Sequence, residues 1–377
     1  MGALALIPSA TAPDGAAQTT SKIGPYQIEL RVPEEGLFAG QAVDIEFRLS
    51  DLTKQDPIEG FKGIPNASPS ATVTMPEMPG MPVVKPHVHS EGVPGDYGLE
   101  LFFPHGGDYK IGIRLTPPGA KPIFAAFTVS VKDADARPAK PQAAPYKVEL
   151  LGLPQEPKAG TVHLRVAIKD AKTGATVKRF DESHTKPIHL ILVSKDLGWF
   201  AHEHPIQQPG GTFAMDMKFP AGGDYLVFAD VAPKDKGSQV LGTKLHLSGP
   251  RGSWPKSLAP SKTARQGGIV GTLVAGKVPV GLTTQLTFLL RDAATGRAVK
   301  DLQPYLGAMG HLIVVHRDGN TFVHSHPAEG AASDALAKHG EVRFNARFPR
   351  AGVYKAWAQF QRNGKVVTLP FVMEVGQ

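Results

Sequence analysis

Apolar residues in this chain recur at every second position over short stretches and are then cut off by glycine, proline or aspartate, the period of half-buried β-strands. Three pairs of such stretches stand out: residues 97–103 and 109–115, 212–219 and 225–231, and 342–348 and 354–360. Related turns join them: Phe103-Pro104-His105-Gly106-Gly107-Asp108-Tyr109, Phe219-Pro220-Ala221-Gly222-Gly223-Asp224-Tyr225, and Phe348-Pro349-Arg350-Ala351-Gly352-Val353-Tyr354. A strand that stops at phenylalanine, turns on glycine and restarts at tyrosine is what a tyrosine corner needs, where the phenol reaches back to the backbone just upstream in a Greek-key sandwich. No stretch carries the 3.6-residue period of a long amphipathic helix, and residues 331–339 make at most a turn or two. The pattern predicts an all-β protein of three tandem immunoglobulin-like β-sandwich domains, at residues 25–132, 146–248 and 268–376. Between them, residues 133–145 and 249–267 are rich in Pro, Ala, Gly, Ser and Lys, the composition of extended spacers.

Residues 168–205 align with 290–327 without a gap, with fifteen identities in thirty-eight positions. His189, His202 and His204 thereby fall on His311, His324 and His326, an internal repeat. The later copy builds a hairpin: an aliphatic run at 312–315, turn chemistry at Asp318-Gly319-Asn320, and strand composition again at 321–323. A two-residue turn sets His311 opposite His326 and Ile313 opposite His324, and alternation then puts Met309, His311, His324 and His326 on one face. Two copies of the same triad favour metal ligation, while a scaffold role, histidines stapling each hairpin, is the alternative. In the earlier copy Pro187 stands where Met309 would, but His184 precedes His189 by five residues. That allows a four-imidazole set of His184, His189, His202 and His204, suited to divalent copper, zinc or nickel. Glu203 points to the opposite face, toward solvent, and Asp181 and Glu182 are close enough to brace the histidines. The other histidines, His105, His163, His246, His316 and His339, read as surface or satisfied core residues.

The first unit has no histidine hairpin. It carries Met75-Pro76-Glu77-Met78-Pro79-Gly80-Met81-Pro82, then His87-Val88-His89. Methionine every third residue among prolines fits a polyproline II ribbon that stacks Met75, Met78 and Met81 along one edge. Thioethers select monovalent copper, and His87 and His89 supply imidazole from one strand face. The alternative is a proline-stiffened loop whose methionines fill the top of the sandwich.

Composition narrows the chemistry. With no cysteine, a metal must use His, Met, Asp or Glu, and a blue copper site of the His₂Cys kind is excluded. The net charge of +7 is scattered along 377 residues without a basic run among aromatics, so no nucleic-acid partner is expected. Residues 1–12 form a short apolar run ending in Ala10-Thr11-Ala12 but lack a basic start, which fits either a clipped signal peptide or a native tail. No run reaches transmembrane length. Hydrolase, metalloprotease, P-loop and dinucleotide motifs are absent, so the chain is not read as an enzyme; a copper oxidoreductase is the least favoured alternative.

The Met-Pro-x-Met-Pro-Gly-Met stretch, the Gly-Asp-Tyr corner and the His-Leu-Ile-Val-Val hairpin ending His-x-His-Pro together resemble FixH-like and YtkA-like domains, immunoglobulin-like modules of bacterial envelopes associated with copper handling. Residues 184–205 look most like that pattern. The resemblance implies a periplasmic or secreted copper-binding protein and carries Cu⁺ or Cu²⁺ onto Met75, Met78, Met81, His184, His189, His202, His204, Met309, His311, His324 and His326. Function is accordingly expected to be copper buffering or delivery through His/Met sites on semi-flexible linkers, with another copper-handling envelope protein as partner. Zinc or nickel binding, or a metal-free adhesive module, are the competing expectations.

Overall fold

The computed structural model describes residues 19–33, 36–39, 42–56, 60–78, 83–103, 105–133, 145–234, 236, 239–281, 283–327 and 331–376. The N-terminal run at 1–12 and most of the first spacer lie outside them. The chain is all-β: three immunoglobulin-like sandwiches of two sheets each, with Ala331–Ala337 the one α-helix among the described residues. It divides into two compact units, residues 1–89 with 97–140, and residues 90–96 with 141–377.

All three tyrosine corners form. Tyr109 donates to the His105 carbonyl at 2.9 Å, Tyr225 to Ala221 at 2.6 Å and Tyr354 to Arg350 at 2.9 Å. The glycine two residues before each tyrosine has φ of +126°, +134° and +133° at Gly107, Gly223 and Gly352, a conformation a Cβ would oppose. In the first sandwich, Phe47, Phe103, Tyr109 and Phe127 are fully buried between the sheets.

The second unit holds two sandwiches built alike. In the earlier one, Tyr146–Leu151, Gly160–Asp170, Phe213–Phe219 and Ile206–Gln207 make one sheet. The other places His189–Ser194 between Phe200–Glu203 and Gly223–Pro233, which also pairs with Phe180–Asp181 and Gln239–Leu247. The later sandwich repeats this, with His311–His316 between Phe322–Ser325 and Gly352–Arg362.

Every residue of both histidine-led strands is buried. Leu190 and Leu192 face their own core, as do Leu312 and Val314. Ile191 and Val193 instead pack with Leu197, Leu226 and Phe228 against Ile313, Val315 and Trp357 of the other repeat. The outer faces of two sheets are thus buried on each other. Phe200 stacks on Trp357 with ring centroids 4.9 Å apart, and Phe228 meets Phe322 at 4.7 Å. These are equivalent contacts with the repeats exchanged, the signature of a pseudo-twofold, self-complementary interface.

The second spacer differs from expectation. Thr263–Gln266 is a strand paired with Ile269–Val274, so the later sandwich begins before residue 268. Upstream of it the Trp254 indole donates to Asp196 at 3.0 Å, and Leu258 packs on the interface cluster. Gly198 makes room, since a Cβ there would lie 1.8 Å from the indole. The indole's hydrogen bond and the packing of a partly buried leucine outweigh the flexibility that the composition suggested.

Replacing Trp357 with alanine removes the largest side chain of this interface. Urea denaturation of the variant is expected to show about 3–5 kcal/mol of lost stability; a loss below about 1 kcal/mol would mean that the two faces contribute little to holding the unit together.

Candidate metal centre

Hairpin arithmetic sets the histidines in place. Ile313 pairs with His324 and Leu312 with Ser325, the register expected, which leaves His311 beside His326. In the earlier repeat Ile191 pairs with His202 and Leu190 with Glu203. Because Ile191 and Ile313 point out of their own sandwiches, so do the histidines beside them, toward the interface. One ring nitrogen from each of His189, His202 and His204 lies within 4.8 Å of the other two, and His311, His324 and His326 do the same.

Each triad is oriented by hydrogen bonds that dictate where its protons sit. His189 Nε2 donates to the Ser183 carbonyl at 2.9 Å, and His311 Nε2 donates to the Tyr305 carbonyl at 2.9 Å. Ser183 and Tyr305 occupy equivalent tight turns, bridged Ser183 to Lys186 and Tyr305 to Ala308, whose following residues His184 and Leu306 have φ of +45° and +51°. A carbonyl only accepts, so the neutral ring presents Nδ1 as a bare lone pair. His202 Nδ1 lies 2.7 Å from Gln359 Oε1, whose amide nitrogen donates to Thr368. His324 Nδ1 donates to Asp230 Oδ2 at 2.5 Å. Both of these rings therefore turn Nε2 inward.

The result is a conflict of lone pairs. His189 Nδ1 faces His202 Nε2 at 3.0 Å and His204 Nε2 at 3.2 Å. His202 directs its Nδ1 proton at Gln359, so its Nε2 lone pair confronts that of His189 across 3.0 Å, and of the two neighbours only His204 is placed to donate to His189. In the other triad His311 Nδ1, His324 Nε2 and His326 Nε2 are buried and have no hydrogen-bond partner among the described residues. Unsatisfied buried polar atoms cost about 1–3 kcal/mol each. Separations near 3 Å are those of two nitrogens on one ion with bonds of about 2.0 Å.

Protonation does not resolve the conflict at neutral pH. Burial, then repulsion from neighbouring imidazoles, holds His184 and His204 at about 3 and His189 at about 4. The same causes put His202, His311 and His326 well below the ordinary imidazole value. Burial alone would raise the Asp230 carboxyl, but its bond to His324 and the surrounding imidazoles hold it below the usual carboxylate range.

Several expected ligands fall elsewhere. His184 does not complete the earlier triad: its ring lies over His326 with centroids 3.5 Å apart, against 6.3 Å to His189. A Cβ on Gly92 would come 2.0 Å from His184 Nε2, so that buried nitrogen abuts backbone. Met309 packs on its own sandwich core, because the strand starts only at His311 and alternation does not extend back to it. Met75 is buried in the first core, whereas Met78 is 41% exposed. The Met78 amide bonds the Met75 carbonyl at 3.0 Å, a turn and not a polyproline II ribbon, which has no such bonds. Met81 and the His87 side chain lie outside the described residues, and His89 meets Asp44 at 3.4 Å. Asp181 is engaged by Lys234 at 2.8 Å. Glu203 is half-buried, with its carboxyl raised by burial, and not freely solvated.

Sequence reading missed Asp230, Gln359, and the Ser183 and Tyr305 carbonyls. A signal was present: His-Leu-Ile-Leu-Val-Ser and His-Leu-Ile-Val-Val-His are continuous apolar runs, which mark strands buried on both faces and hence a partner for the outer face.

Two family models match. One, described as a domain of unknown function (DUF8832), matches residues 142–243 and 264–377, the two histidine-bearing repeats. The other, described as YtkA-like, matches residues 20–114, in the first sandwich, and not residues 184–205 where the resemblance looked strongest. No curated protein matches. Among solved structures, a tetra-tandem repeat from the extending region of a large adhesion protein is 13% identical, with 92% of this chain and 74% of that one covered and a TM-score of 0.21. Invasin, a bacterial integrin-binding protein, is 11% identical over 93% of this chain and 60% of its own, with a TM-score of 0.18. Likeness at that level carries no argument about function. No described helix is long and apolar enough to cross a membrane.

The buried neutral histidines set a pH dependence for the metal-free chain. Between 6.5 and the folded values of about 3 to 4, the unfolded chain binds protons that the folded chain does not. Stability is therefore full above about pH 6.5 and falls on acidification, by about 1.4 kcal/mol per pH unit for each such histidine. Denaturation midpoints at pH 7 and pH 5 check this, and equal midpoints would contradict neutral burial.

Proposed function

The chain belongs to the family described as a domain of unknown function, DUF8832, whose model covers more than half of it, and on that premise we propose that its two repeats bind copper through imidazole to buffer or deliver the ion in a bacterial envelope. The observation that carries this reading is the His189 Nδ1 and His202 Nε2 lone pairs facing each other 3.0 Å apart in a buried site, where burial holds both rings below the ordinary imidazole value. A cation between them converts repulsion into two bonds. His311, His324 and His326 offer the same donors from the other repeat. The donor set is imidazole alone, since Met309 turns to its core. The YtkA-like first sandwich supports copper and a periplasmic or secreted location, through the copper association of that family. Three imidazoles also suit zinc, which makes metal preference part of the test.

A metal-free scaffold would bury those nitrogens against donors, and the described residues supply none to His311 Nδ1, His324 Nε2 or His326 Nε2. The purified chain, dialysed against copper, zinc or nickel, is expected to retain copper in stoichiometric amount and in preference to the others. The variant combining His202→Ala, His204→Ala, His324→Ala and His326→Ala is expected to retain none while keeping its β-sheet circular dichroism. Equal copper in the variant would place the metal elsewhere, and no metal in either protein would leave the histidines as scaffold.

A further inference from the structure

The two triads are not separated by protein. Within a triad, ring centroids are 4.3 Å apart for His324 and His326 and 5.2 Å for His189 and His202. Between triads the spacing is much the same: 5.6 Å from His189 to His324, 5.7 Å from His202 to His324, 5.8 Å from His202 to His311 and 6.2 Å from His189 to His311. Each triad also borrows its orienting group from the other sandwich. Gln359, which holds His202, pairs in its own sheet with His311; Asp230, which holds His324, pairs with His189. The two sets of ligands thus take their final form together.

The borrowed groups occupy equivalent positions but differ in charge. Asp230 brings an anion to the triad of the later repeat, and Gln359 brings only a neutral amide to the earlier one. A carboxylate drawing on Nδ1–H makes the opposite nitrogen a stronger donor and offsets part of the charge that a cation carries into a dry site. His184, whose equivalent position holds Leu306, adds a further ring beside His326.

From this we propose that the six histidines form one two-ion centre filled in order, His311, His324 and His326 taking the first ion and His189, His202 and His204 the second. The proposal rests on the metal-binding reading above. The first ion gains the support of Asp230; the second meets the charge of the first and has only an amide behind its ligands. The two steps therefore differ in affinity although the repeats are alike in sequence and fold.

Titration of the full chain with divalent copper, followed by electron paramagnetic resonance, tests this. The first equivalent is expected to give an isolated copper spectrum with imidazole nitrogen couplings, and the second to broaden it and add the half-field signal of two interacting spins. Asp230→Asn, which keeps an acceptor oxygen for His324, is expected to weaken the first step about 10- to 100-fold. Gln359→Glu is expected to tighten the second step and narrow the gap, and thermal melts confirm that both variants fold. Two equivalents with spectra that simply add, a single equivalent in all, or binding steps unmoved in both variants would overturn the two-ion centre while leaving copper binding by the histidines standing. No copper on the wild-type chain would instead overturn the reading beneath it.

Discussion

Imidazole lone pairs gathered between two sheets, three of them with no hydrogen-bond partner among the described residues, are the constraint around which the second unit is arranged. Leu226, Phe228, Ile313, Val315 and Trp357 close the interface around the cluster, and each fully buried aliphatic or aromatic side chain of this kind stabilises by roughly 2 kcal/mol. That apolar surround offsets the cost of holding bare nitrogens together. It also favours the neutral rings, since burial is the main reason that His184, His189, His202, His204, His311 and His326 lie below the ordinary imidazole value.

Duplication gives the arrangement its economy. A sheet whose outer face is apolar cannot stand alone in water, but two copies related by a pseudo-twofold cover each other, as Phe200 on Trp357 and Phe228 on Phe322 show. The same operation that buries the hydrophobic faces brings the triads together and lets each sandwich orient a histidine of the other. Metal binding on this account is a property of the pair of repeats. Trp254 and Leu258 make the intervening segment part of that assembly, where an extended spacer would have let the repeats act separately.

The fold was legible in the sequence because its signals are local. Alternation marked the strands, and the Phe-Pro-turn-Tyr motif marked three tyrosine corners that all form. The hairpin register of His311 against His326 followed from turn chemistry and the period of two. Asp230 and Gln359 were out of reach because their role depends on one sandwich meeting another, about a hundred residues away or more in the chain. Met309 shows the complementary limit: alternation holds only inside a strand, and the strand begins two residues later. Spacing likewise suggested a methionine ribbon, but burial of Met75 and the turn to Met78 decided otherwise.

X-ray absorption at the copper edge of the loaded chain tests most directly whether bare imidazole is the ligand. The account predicts a first shell of nitrogen at about 2.0 Å, with the outer-shell scattering of imidazole rings and no sulfur. A sulfur shell would contradict it, since it would put methionine in the site and mean that the histidine cluster is not where the metal is held.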